Sequence, residues 1–108
     1  MTPHIVISVS SCDKAYEKAK ARAGKRMPEL EDIIIKDRYY AYRYARNIIK
    51  GRWIEAEDII MTSSWFSYLY ASQVIKGKLP EKMHNMMILH AIKDPDDYGV
   101  KEYFELIK

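Results

Sequence analysis

One cysteine in 108 residues, Cys12, excludes an intramolecular disulfide and fits a reducing compartment. Glycine and proline number four each, too few for the many turns of an all-β chain. No apolar run approaches the ~20 residues that a membrane-crossing helix needs. The opening residues MTPHIVISVSS lack a basic region and a credible cleavage site, so no secretory signal is expected and a cytoplasmic location is. Also missing are an HExxH pair, a Walker loop, a GxGxxG turn and a calcium-loop pattern. His84 and His90 fall on different sides of one helix and His4 is remote, so no metal and no cofactor is expected. The carboxylates Glu55, Glu57, Asp58 and Glu81 cluster in helix first turns, where the positive end of the dipole accounts for them. Asp94, Asp96 and Asp97 have the same explanation at a turn. Cys12 stands beside Asp13 near a helix start, with no sequence-near base to complete a dyad. No catalytic residue is assigned and enzymatic activity is not expected.

What the chain does have is aromatic residues, with nine Tyr, two Trp and two Phe, and a phrase that it repeats. Residues 40–58 read YAYRYARNIIKGRWIEAED, and 26 positions on, residues 66–83 read FSYLYASQVIKGKLPEKM. Positions 41, 44, 45, 48 and 49 (Ala, Tyr, Ala, Ile, Ile) form an inward helical stripe, matched by Ser67, Tyr70, Ala71, Val74 and Ile75. Gly51 and Gly77 are expected helix C-caps, with Lys50 and Lys76 in the last turns. Pro80-Glu81 opens a second helix, and Ser63-Ser64 caps the long helix that follows Ile59-Ile60.

Weaker copies flank these two. Arg26–Asp32 aligns with Arg52–Asp58, and residues 13–24 are predicted as a first long helix. Downstream, an insertion of about six residues is absorbed by a longer helix over 81–92, before a turn at Asp94–Asp97 and a last helix over 98–108. The first ten residues read as a helical or irregular packing element. The fold class expected is all-α: one domain over residues 1–108, built of stacked helical hairpins with a period of about 26 residues.

The phrase around Tyr40-Ala41, Tyr44-Ala45, Ile48-Ile49, Gly51-Arg52-Trp53 and Glu55-Ala56-Glu57 resembles short tandem repeats of uncharacterised phage and bacterial proteins. Their form is Y-A-x-x-Y-A, then V-I-x-G-R-W, then P-E-A-E and a closing isoleucine. The likeness spans roughly residues 13–83 and weakens in the later unit, where Leu79 replaces tryptophan and Lys82-Met83 replaces the Ala-Glu pair. It implies an architecture and no catalytic motif. A phage origin would imply a host-directed binder or inhibitor acting in the host cytoplasm.

Charge is divided along the chain. Residues 12–52 hold twelve Lys or Arg against six Asp or Glu, and residues 53–108 hold six against nine. On the outward side of the helix over 38–50, Tyr39, Arg43, Arg46 and Lys50 form one face. The next long helix carries Trp65 and Leu69 there, an apolar outward surface suited to an interface. These six residues are the candidate interaction surface of a small, non-catalytic protein-binding module, with self-association through its apolar part as a subsidiary expectation. The alternative is nucleic-acid binding, in which Lys14, Lys18, Arg22 and Lys25 join Arg43, Arg46 and Lys50 in a phosphate-contacting patch.

Overall fold

A computed structural model describes residues 9–22 and 25–108, with side chains from residue 11 onward. The expectation for the first ten residues lies largely outside them. The described chain is all-helical: α1 Val9–Lys20, α2 Pro28–Ile34, α3 Arg38–Tyr44, α4 Glu57–Ile60, α5 Ser64–Tyr70, α6 Glu81–Lys93 and α7 Tyr98–Leu106. α3 and α5 each run on into a π-turn, Ala45–Ile49 and Ala71–Ile75, and a 3-10 turn, Ile54–Ala56, leads into α4. No strand occurs among the described residues.

Long helices lie side by side, α1 against α3, α3 against α5, and α5 against α7. Each short helix spans a pair of them: α2 touches α1 and α3, α4 touches α3 and α5, and α6 touches α5 and α7. The molecule measures 49 × 33 × 19 Å, and its shortest dimension is that of two helices of ~10 Å diameter. Most of the inward stripe read from the sequence is core: Ala41, Tyr44, Ala45, Ile48, Ser67, Tyr70 and Ala71 are buried, while Ile49, Val74 and Ile75 are half-buried against it. Asp37, Ser63 and Asp97 start the three later long helices, each side chain accepting backbone N–H bonds from the first turn. Ser63 was expected, whereas Asp37 was not singled out.

The helix ends differ from expectation. Left-handed backbone sits at Lys50 (φ 60°) and Lys76 (φ 63°), one residue before the glycines assigned that role. The carbonyl of Ala45 accepts the N–H of both Lys50 and Gly51, and Ala71 does the same for Lys76 and Gly77. The π-turn places one more residue in the last turn and so moves the reversal onto lysine. A side chain with a Cβ costs ~1–2 kcal/mol in that conformation. Lys50→Gly is therefore expected to stabilise the chain by about 0.5–1 kcal/mol in urea unfolding. Gly51→Ala should change little, because a Cβ there meets nothing within 4 Å.

The units are fastened by a polar clasp, and it explains the repeated phrase. Arg52 donates Nε to Glu57 Oε2 (2.7 Å) and Nη2 to Oε1 (3.0 Å). The Tyr70 hydroxyl, from the next long helix, donates to Glu57 Oε2 at 2.8 Å and accepts the Trp53 N–H at 2.8 Å. One unit earlier, Arg26, Glu31, Tyr44 and the Met27 N–H make the same bonds at 2.6–3.0 Å. Glu57 thus does more than offset a helix dipole, and the hydroxyls of Tyr44 and Tyr70 point into the clasps. Burial, then the bond to Glu31, pushes the Tyr44 phenol up to about 12, and Tyr70 is raised further, burial again being the largest cause. The bond from Arg26 holds Glu31 below its ordinary 4.5 against the opposing effect of burial, with Tyr44 adding to it.

The third clasp has a different chemistry. Leu79 N–H donates to the Tyr103 hydroxyl at 3.0 Å, and that hydroxyl meets His84 Nδ1 at 2.6 Å. Met83 and Lys78 stand where the earlier units have glutamate and arginine. Burial, then the nearby Lys78 charge, lowers His84 below its ordinary 6.5. The unfolded chain therefore binds the proton more readily than the folded one. The His84 contribution to stability is fully present above pH 6.5 and falls with pH down to the folded pKa. Urea midpoints taken across pH 5–8 should fall on acidification in that window, and His84→Phe should flatten the profile there. Glu31 adds a separate loss below pH 4.5, as its carboxylate is protonated.

Candidate interaction groove

α3 and its π-turn supply Tyr39, Tyr42, Arg43 and Arg46 to one wall of a cleft of about 330 Å³, and α5 with its π-turn supplies Leu69 and Gln73 to the other. Helical spacing makes this possible. Residues 39, 42, 43 and 46 recur at i, i+3, i+4 and i+7, beside the buried stripe and not opposite to it. Phe66 fills the seam, its ring 5.7 Å from that of Tyr39 and 6.2 Å from that of Tyr42.

The two arginines are held by aromatic residues. The Arg43 guanidinium lies 4.6 Å from the Tyr16 ring centre and 5.3 Å from that of Tyr39, and its Nη1 donates to the Tyr39 hydroxyl at 3.3 Å. Arg46 Nη1 donates to the Tyr42 hydroxyl at 3.4 Å. Burial raises the Tyr42 phenol, with Arg46 pulling it the other way, so the hydroxyl remains protonated at neutral pH. Five ion pairs form among the described residues, and none engages Arg43 or Arg46. Arg26 and Arg52, by contrast, are committed to buried or half-buried glutamates. The groove therefore presents two positioned cations without carboxylate partners.

The other residues singled out from the sequence lie elsewhere. Trp65 is 40% exposed and sits one seam along, 5.4 Å from Tyr68 and 5.5 Å from Tyr98, at a second cleft with Ser64, Asp97 and Gly99. Part of its apolar surface is thus covered by α7. Asp97 there is tied by the Ser64 hydroxyl at 2.7 and 2.8 Å. Burial alone would raise Asp97, but bonds from Val100, Ser64 and Gly99 bring it below its ordinary value. Lys14 and Lys18 line a third cleft with Leu30 and Ile33, between α1 and α2. Arg22, Lys25 and Lys50 are exposed at element ends. Of the basic set proposed for nucleic acid, Arg43 and Arg46 thus line one cleft, Lys14 and Lys18 another, and the remaining three lie at element ends.

The groups capable of chemistry are engaged structurally. The buried Cys12 thiol donates to the Ile33 carbonyl at 3.3 Å, and burial, with Asp37 adding to it, raises its pKa and disfavours the thiolate. His90 Nε2 lies 3.1 Å from the Met61 carbonyl, which can only accept, so that nitrogen carries the proton. His84 faces Tyr103 instead. Among the described residues no group of three or more His, Cys, Asp or Glu is placed to hold a metal ion. No described helix is long and apolar enough to cross a membrane. No protein-family model matches the chain, and neither does any curated protein or solved structure.

Proposed function

We propose that this chain is a non-catalytic interaction module whose α3–α5 groove binds an acidic segment of a partner protein. The observation that carries this reading is the pair Arg43 and Arg46, fixed by tyrosines and free of carboxylate partners beside the apolar Leu69. A carboxylate bound there replaces water on guanidiniums already held in place, which limits the ordering cost of binding. Leu69 and the tyrosine rings offer apolar area to a neighbouring side chain of the same segment. Binding occludes or scaffolds the partner, with no bond made or broken. For a phage-encoded chain, the partner is a host protein.

An array of acidic peptides, each with interspersed apolar residues, tests the reading directly. The wild-type chain should bind a subset saturably. Arg43→Glu/Arg46→Glu should weaken that binding roughly 100-fold, consistent with loss of two charge-assisted contacts at about 1.5 kcal/mol each. Duplex DNA and RNA assayed over a salt series form the other arm. Salt-sensitive binding that needs Lys14 and Lys18 as much as Arg43 and Arg46 would replace the protein-partner reading with the nucleic-acid one.

A further inference from the structure

We propose that the chain associates head to tail with copies of itself, the α6–α7 end of one copy docking on the α1–α2 groove of the next. This inference is independent of the α3–α5 groove. The solvent-facing side of a helical stack is ordinarily polar. Here α6 exposes Ile88 (40%), Leu89 (54%) and Ile92 (71%), beside a largely apolar cleft of about 300 Å³ lined by Met86, Leu89, His90, Ile92 and Lys93. In the interior of the stack, α4 has a following short helix beside it: Lys82 of α6 donates to Asp58 at 2.8 Å, and His90 reaches the Met61 carbonyl. α6 has no such neighbour among the described residues.

At the other end, the groove between α1 and α2 has an apolar floor of Leu30 and Ile33 and a rim of Lys14 and Lys18. Neither lysine takes part in an ion pair among the described residues. The exposed Asp94 directly follows α6 and is in no ion pair among the described residues, while Asp96 lies 3.5 Å from Lys101 and Glu105 3.4 Å from Lys108. Residues 81–108 as a whole hold six Asp or Glu against four Lys. The basic first part of the chain and the acidic second part therefore lie at opposite ends of the stack. That polarity selects the mode of association. A two-fold contact between tails would bring two net-acidic ends together, whereas head-to-tail docking brings Asp94 toward Lys14 and Lys18 around a shared apolar contact. Such a contact is heterologous, so association continues beyond a dimer as concentration rises, into a ring or an open filament.

Sedimentation velocity of the full chain, at rising concentration and in low and high salt, tests the proposal. Mass should increase beyond a dimer with concentration, and the increase should be weaker in high salt. Leu89→Glu/Ile92→Glu removes the tail, and Lys14→Glu/Lys18→Glu removes the head. Each should weaken self-association roughly tenfold or more, while circular dichroism stays that of the wild type because all four sites are at the surface. Mixed together, the two variants retain one intact tail and one intact head, and should form a 1:1 heterodimer that grows no further. A wild-type chain that remains monomeric throughout overturns the proposal. So does a head variant that still dimerises as the wild type does, which would indicate tail-to-tail pairing, or a mixture that forms no heterodimer.

Discussion

Tyr70→Phe should cost about 2–3 kcal/mol of stability although it removes a single oxygen. The ring stays, so packing is preserved and no cavity opens. The loss falls on polar groups that are already out of water. The Trp53 N–H, bonded to the Tyr70 hydroxyl at 2.8 Å in a buried site, is left without a partner. Glu57 Oε2 loses a 2.8 Å donor but keeps Arg52 at 2.7 Å. An orphaned buried donor costs ~1–3 kcal/mol, and a hydrogen bond to a charged group contributes ~1.5–3 kcal/mol. In a domain of this size the change corresponds to a fall in Tm of roughly 10–20 °C. Thermal and urea unfolding measure it, with Tyr98→Phe, at an exposed ring, as the control. Indistinguishable midpoints for the two variants would show that the clasp adds nothing. A double-mutant cycle with Glu57→Gln should return a coupling of about 1–2 kcal/mol, since the two side chains share one bond.

Gly99→Ala is expected to be about as damaging, at about 3 kcal/mol, for a steric reason. A Cβ on Gly99 would lie 2.7 Å from the Ser64 carbonyl carbon, 2.8 Å from its oxygen and 2.8 Å from the Trp65 nitrogen. All three are backbone atoms at the start of α5, so no rotamer change relieves the clash and α7 must move away. The helix-forming advantage of alanine, up to ~1 kcal/mol, offsets only part of the cost. The shift would also part the Trp65 and Tyr98 rings, now 5.5 Å apart, so tryptophan emission should change along with the unfolding midpoint. Gly51→Ala provides the contrast: the same substitution in open space should leave both unchanged. Equal midpoints for the two alanine variants would show that the α5–α7 approach tolerates a Cβ.

The candidate groove was legible in part. Tyr39, Arg43, Arg46 and Leu69 were marked as outward residues, and the structure gathers them around one cleft. Tyr42 and Gln73, which complete it, were not marked. Tyr42 and Tyr68 share one position of the repeated phrase, 26 residues apart, and a helical wheel cannot show that a neighbouring helix will come up beside Tyr42. Trp65 sits in the next seam for a related reason: α7 supplies Tyr98 to it, and the separation of α5 from α7 is set by Gly99. The left-handed residues were misplaced by one position, because nothing in the residue types signals that the last turn widens to a π-turn.

By itself the sequence determined the helices, most of their inward stripes and the capping serine Ser63. Those features depend on neighbours within four residues, and the period of 3.6 writes them directly into residue spacing. Only the tertiary structure decided which polar groups meet. Tyr70 finds Glu57 across 13 residues and Trp53 across 17, while Arg43 lies over Tyr16 in a different helix. A hydrogen bond is lost over less than an ångström of displacement. Such pairings therefore wait on how far apart the helices settle and how each is rotated, which the packing of all their side chains sets together.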